Sequence, residues 1–187
     1  MSRVASRNRV RIVGGKWRSR LLSFPDVPGL RPTPDRVRET VFNWLGQDLA
    51  GRTCLDLFAG SGVLGLEAAS RGASAVVMVE RDPRALRALQ DNMRVLQAAG
   101  VELVRADALE FIASDARRYD VVFLDPPYAM GGREGLLEHV RERLAAGGLV
   151  YVEGPEALIP PPGWAVHRAA RAGAVHYQLL TAVNRSS

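Results

Sequence analysis

Four consecutive residues, Asp125-Pro126-Pro127-Tyr128, combine a carboxylate, two prolines and a flat ring. Each proline fixes φ and removes an N–H, so the backbone here presents carbonyl acceptors. That set suits a planar base bearing an exocyclic NH2 group. Asp125 and a proline carbonyl accept its two hydrogens, and Tyr128 stacks on its face. An aromatic amine is a poor nucleophile because its lone pair is delocalised into the ring. Accepting both N–H bonds aims that lone pair at an electrophile and disperses the positive charge that develops. Alignment of the reactants contributes up to about 7–11 kcal/mol. The chemistry calls for no metal and no covalent enzyme intermediate. The plain alternative for Pro126-Pro127 is a rigid turn after a strand.

A second constellation lies upstream, in Asp56-Leu-Phe58-Ala59-Gly60-Ser61-Gly62 followed by Gly65. Gly60 and Gly62 allow a sharp turn and a close backbone approach to a ligand at the start of a helix. Gly60-x-Gly62-x-x-Gly65 is also the dinucleotide fingerprint, and Glu80 lies 20 residues after Gly60, where a ribose diol belongs. The glycines and Glu80 thus fit either a nicotinamide dinucleotide or S-adenosylmethionine. Asp56 tilts the choice. An acid facing the loop suits the cationic amino group of a methionine moiety and is a poor neighbour for a pyrophosphate. Asp107, in Ala106-Asp107-Ala108, offers a carboxylate to an adenine amino group; it reads equally well as the N-cap of a helix.

Positioning these residues takes a sheet with helices. From residue 51 onward short apolar runs at Thr53–Leu57, Ala75–Glu80, Glu102–Arg105, Val121–Leu124 and Leu149–Glu153 alternate with helical patterns at 63–71, 83–98, 108–115 and 133–145. That alternation predicts a mostly parallel sheet covered on both faces, with ligands beyond the carboxyl ends of its strands. Trp164–Arg171 and Ala174–Val183 follow without a helix between them, around Gly173, and read as an antiparallel hairpin finishing a seven-stranded α/β sheet. Ahead of this unit, Arg9 to Leu22 reads as a hairpin turning at Gly14-Gly15. Pro25 to Pro32 reads as a connector, and Thr33-Pro34 as the N-cap and first position of an amphipathic helix over 34–48. We therefore expect a basic hairpin extension and connector over 1–30 and the main α/β domain over 31–187.

The charge distribution marks the front of the chain. Residues 1–20 carry Arg3, Arg7, Arg9, Arg11, Lys16, Arg18 and Arg20 and no acid. Through residue 50 there are ten basic residues against four acidic ones, and the remainder is nearly neutral, so the net charge of +5 sits at the amino end. A basic stripe on a neutral domain is the footprint of a polyanion binder; a solvated basic tail is the alternative. Cys54 is the one cysteine and reads as a small buried hydrophobe. A lone thiol excludes an internal disulfide framework and points to a reducing, cytoplasmic setting. No apolar run approaches the ~20 residues that span a bilayer. The amino end lacks the apolar stretch of a signal peptide. His139, His167 and His176 lack partner spacing and read as structural or surface residues.

Asp56, the glycine loop, Glu80, Asp107 and Asp125-Pro-Pro-Tyr together resemble a class I, Rossmann-like methyltransferase of the amino-methylating group. Three longer blocks narrow this: Ile12-Val-Gly-Gly-Lys-Trp-Arg-Ser-Arg, Gly29-Leu-Arg-Pro-Thr-Pro-Asp-Arg-Val-Arg-Glu-Thr-Val-Phe-Asn-Trp-Leu and Phe58-Ala-Gly-Ser-Gly-Val-Leu-Gly-Leu-Glu-Ala. They look like the bacterial 16S rRNA guanine-N2 methyltransferases of the RsmD type, over residues 9 to 182. The resemblance implies methyl transfer from S-adenosylmethionine to the 2-amino group of one guanine in 16S rRNA, presented on a small ribosomal subunit. It places Asp56, Phe58, Ala59, Gly60, Ser61, Gly62, Glu80, Arg81, Asp107 and Ala108 around the cofactor. Asp125, Pro126, Pro127 and Tyr128 form the reaction centre, although relatives often carry Phe where this chain has Tyr128. Under this reading Arg9, Arg11, Lys16, Arg18 and Arg20 grip rRNA phosphates, and Trp17 either stacks on a base or packs the hairpin down. Arg31, Arg36 and Arg38 either contact RNA, order a cofactor lid, or pair with Asp35 and Glu39. A monomer without metal or membrane association is expected.

Three rivals follow from the same residues. An adenine-N6 methyltransferase acting on DNA or RNA presents a similar NH2 to the same four residues. A nicotinamide-dependent oxidoreductase uses the glycines and Glu80 but leaves Asp125–Tyr128 without work. A non-catalytic RNA-binding assembly factor would keep the fold alone.

Overall fold

The computed structural model describes residues 8–126 and 133–183. Strands β3 (Thr53–Asp56), β4 (Ala75–Glu80), β5 (Val101–Arg105), β6 (Tyr119–Leu124), β7 (Leu144–Gly154), β8 (Trp164–Ala172) and β9 (Val175–Ala182) form one seven-stranded sheet in the order β5-β4-β3-β6-β7-β9-β8. The first five of these pair in parallel, and β9 then runs antiparallel to both β7 and β8. The expected hairpin finish and seven strands are present. Helices α2 (Val63–Ser70), α3 (Pro83–Leu96), α4 (Ala108–Ser114) and α5 (Arg133–Glu142) occupy the crossovers.

Period-two alternation along the strands splits the core in two. Cys54, Val76, Met78, Phe123, Tyr151 and Leu179 face one layer; Leu55, Val77, Val79, Leu124, Val152 and Leu180 face the other. The second layer is closed by Phe111 and Ile112 of α4 and Leu137 and Val140 of α5. The first is closed by α1 (Asp35–Trp44), α2 and α3, with Trp44 stacked on Tyr177 at 5.4 Å. Cys54 is fully buried and burial pushes its thiol up to about 12, in keeping with a packing role. Among the described residues no helix is long and apolar enough to cross a membrane.

The amino-terminal ribbon differs from the expected hairpin in one respect. Its strands are β1 (Asn8–Arg11) and β2 (Leu21–Phe24), paired antiparallel with Arg11 opposite Leu21. Residues 12–20 therefore form a loop, and Gly14-Gly15 is not a two-residue turn. The glycines serve a close approach instead. Lys16 N–H donates to the Ser70 carbonyl at 2.8 Å, Trp17 N–H to Ser70 Oγ at 2.9 Å, and Ser70 Oγ to the Gly14 carbonyl at 2.7 Å. A Cβ on Gly15, whose φ is +76°, would stand 2.0 Å from the Ser70 carbonyl oxygen. Val10, Ile12, Trp17, Leu22 and Phe24 join the first core layer, so the ribbon is packed onto the sheet domain.

Helix α1 also starts differently. Pro34 is its N-cap residue, without a side-chain cap bond, and the Thr33 hydroxyl is engaged elsewhere. What anchors this end is Arg38. It is fully buried, donates from Nε to the Thr33 carbonyl at 2.9 Å, and pairs with Asp35 and with Glu67 of α2. Glu67 is also fully buried and takes a second pair from Arg71 at 2.9 Å. This cluster explains how α2, buried at all eight positions, tolerates a carboxylate.

Candidate active site

Strand order reverses between β3 and β6: β4 and β5 lie to one side, β7 to the other. A crevice at such a switch point, outside the strand carboxyl ends, is where ligands bind in this architecture. A cavity of ≈ 700 Å³ opens there, lined by residues following β3, β4, β5 and β6. Asp56 ends β3, Glu80 ends β4, Asp107 follows β5 and Asp125 follows β6, and all four line the cavity.

Each carboxylate is held by its own local structure. Asp56 Oδ2 accepts the Gly65 N–H at 3.0 Å across the loop, and the side chain is almost fully buried. Burial outweighs that hydrogen bond and, with Glu80 nearby, pushes Asp56 up to about 7. Glu80 Oε2 accepts the Gly60 N–H at 2.9 Å, while Oε1 accepts the Arg81 and Asp82 N–H groups at 2.8 Å each. The acid at the end of β4 thus ties down the glycine loop as well as lining the cavity. Asp107 Oδ1 caps α4 through the Leu109 N–H at 2.9 Å, and Oδ2 stands 3.6 Å from Arg81. The N-cap reading is thus borne out, and the same residue lines the cavity.

Of the expected cofactor residues, Asp56, Phe58, Ala59, Gly60, Ser61, Glu80, Arg81, Asp107 and Ala108 line the cavity. Gly62 does not. Its φ is +76°, and a Cβ there would meet Leu89 of α3 at 2.2 Å, so packing against α3 demands a glycine here. Asp125 is half-buried and Pro126 buried, both on the cavity wall. Pro127 and Tyr128 lie outside the described residues.

Sequence reasoning missed part of the wall. Residues 27–34, read as part of a connector ending at Pro32 with Arg31 as a lid candidate and as a helix start at Thr33-Pro34, line the cavity along their whole length, with the Leu30 side chain 3.6 Å from where a Gly60 Cβ would stand. Arg38 holds this segment through the Thr33 carbonyl. Glu153, near the end of β7, is the other addition; its Oε1 accepts from Thr33 Oγ1 at 3.5 Å and its Oε2 from the Tyr151 hydroxyl at 2.5 Å. Its place at a strand's carboxyl end was a signal that could have found it.

The basic residues divide. Arg9, Arg11, Lys16, Arg18, Arg20, Arg31 and Arg36 are exposed, with Arg11 paired to Asp35 at 2.8 Å. Arg38 has no surface to offer RNA, so that expectation is corrected, while the alternative pairing with Asp35 is present in the buried anchor above. Trp17 is 9% exposed and packs into the core, with the Lys16 ammonium 4.3 Å from its ring centroid, so the packing alternative holds and base stacking does not. A smaller hollow of ≈ 400 Å³ lies beside this loop, lined by Gly15, Arg18, Glu39 and Arg71 among others, and contains none of the strand-end carboxylates.

The strand order, the antiparallel finish and an acid-lined cavity at the switch point define a Rossmann-like methyltransferase fold. The chain belongs to the family described as Conserved hypothetical protein 95, which matches residues 10–181. It is 44% identical over 179 residues to the Escherichia coli K12 protein named ribosomal RNA small subunit methyltransferase D, covering 91% of this chain and 88% of that one. A Haemophilus influenzae protein of the same name is 38% identical over 182 residues, covering 93% and 94%. Among solved structures, a putative methyltransferase from Escherichia coli superposes with a TM-score of 0.85 at 38% identity, covering 94% of this chain and 99% of that one.

Proposed function

We propose that this chain transfers a methyl group from S-adenosylmethionine to the 2-amino group of a guanine in 16S rRNA, on the small ribosomal subunit in the cytoplasm. The observation that carries the reading is the cavity itself, which joins an adenosine-sized, acid-lined recess to Asp125 and Pro126 in a chain 44% identical to a small-subunit rRNA methyltransferase. The residues fit the cofactor. Asp56 would hold its cationic amino group, Glu80 its ribose diol and Asp107 its adenine amino group, with residues 27–34 lining the same cavity. Bound there, the cofactor supplies an electrophilic methyl on sulfonium. The chain's own part is to hold the acceptor. The Asp125 carboxylate and Pro126 carbonyl accept the two amine hydrogens, Tyr128 stacks on the base, and the covering segment excludes water. The exposed Arg9, Arg11, Lys16, Arg18 and Arg20 bring rRNA phosphates to the same molecule. The reading calls for one copy of the chain and no metal.

Methyl transfer onto small subunits from a strain lacking this gene, followed by digestion and mapping, tests it. N2-methylguanosine at one position is expected; N6-methyladenosine would replace this reading with the adenine rival.

A further inference from the structure

The switch point carries two neighbouring carboxylates, only one of which the chemistry above uses. β6 and β7 run parallel with Leu124 beside Val152. The next residues, Asp125 and Glu153, therefore stand side by side at the strand ends, on backbones about 4.8 Å apart. Both line the cavity. Tyr151 senses the pair: burial first, then Glu153, with Asp125 adding, hold its hydroxyl well above the ordinary tyrosine value. Tyr151 therefore stays protonated and donates to Glu153, and Thr33 donates to the other oxygen. These two donors come from the sheet and from the covering segment, and they fix where the Glu153 carboxylate points. A carboxylate has about four lone-pair positions, so a fixed one serves as a hydrogen-bond template for a ligand.

Two adjacent acceptors match one base edge and not another. Guanine presents N1–H and the 2-amino group as neighbouring donors on its Watson–Crick edge. Adenine places an acceptor, N1, next to its 6-amino donor. We propose that Glu153 is a specificity-determining residue that accepts the N1–H of the target guanine while Asp125 and the Pro126 carbonyl hold its 2-amino group. The inference rests on the guanine reading above. An adenine edge would set a ring lone pair against the Glu153 carboxylate, a repulsive element of the kind that rejects a near-isostere. A site built to accept an N–H discriminates strongly against an analogue that lacks it.

2-Aminopurine tests this, because it keeps the 2-amino group while its N1 is an acceptor. Small subunits reconstituted with guanine or 2-aminopurine at the mapped target position are compared by kcat/KM. The wild-type enzyme is expected to prefer guanine by about 100-fold or more. Glu153→Gln, whose amide donates to N1, is expected to shrink that preference at least about tenfold. The preference is a ratio on one protein, so weaker cofactor binding or partial unfolding of the variant cancels, which a merely structural role for Glu153 would leave unmoved. Equal turnover of both bases by the wild type overturns the proposal even if the variant does not fold. An unchanged preference in Glu153→Gln overturns it as well. A wild-type product other than N2-methylguanosine on the guanine subunits overturns the guanine reading itself, and is a separate observation.

Discussion

Arg38 and Glu67 form an ion pair in which neither side chain reaches solvent, and the same guanidinium holds the Thr33 carbonyl of the segment covering the cavity. Burying two charges is costly, and the arrangement is stable because Asp35 and Arg71 complete it. Arg38→Ala leaves Glu67 with one cation, Arg71, beside the Val13 N–H, and is expected to cost about 3 kcal/mol in urea unfolding. Cofactor affinity should fall with it, because residues 27–34 lose their anchor, while RNA affinity of the folded protein should not change.

Gly15 tests the contact between the ribbon loop and α2. Alanine there meets the Ser70 carbonyl at 2.0 Å in a left-handed conformation, and a backbone oxygen cannot step aside. Gly15→Ala is expected to lose at least about 1–2 kcal/mol, read as a lower melting temperature. Gly29, with nothing within 4 Å of its Cβ position, is the control that pays only for its φ of +80°.

Asp56 sets a pH dependence. Its folded value, about 7, is raised above the ordinary carboxylate value, so the native state binds the extra proton between those two limits. Free-protein stability from this group is therefore full below about pH 4 and is lost as pH rises through 7. Cofactor binding moves the other way, because the cationic amino group favours the carboxylate. Affinity measured by titration calorimetry should rise from pH 5.5 to about 7, with proton release, and then level. Asp56→Asn should flatten the rise.

The exposed arginines predict a salt signature. Arg18→Ala removes one exposed cation from the ribbon loop. Binding to a small-subunit rRNA fragment should weaken, and the slope of log K against log salt should fall by about 0.7–0.9 for one lost phosphate contact. Arg38→Ala should leave that slope unchanged.

Much of this was legible because the signals were periodic. The strands at 75–80 and 121–124 are continuous apolar runs, as strands buried on both faces must be, and the acids after them fall at strand ends by simple counting. What was hidden depends on partners distant in sequence. Arg38 reads as one more surface cation until Glu67, 29 residues on, is seen to receive it. Gly14-Gly15 has the letters of a hairpin turn, but Ser70 decides its use. Gly62 belongs to a ligand-loop motif, yet Leu89 claims the space. Residues 27–32 look like a connector because prolines and a glycine carry no periodicity, and only the folded sheet reveals the cavity they line.

Asp125→Ala is the most direct test of amine activation at the end of β6. The variant should bind S-adenosylmethionine with near wild-type affinity, since Asp56, Glu80 and Asp107 remain in place. Its labelled-methyl transfer onto undermethylated small subunits should fall by about 100-fold or more. Wild-type-like turnover in Asp125→Ala would contradict the assignment of that carboxylate to the reacting amine.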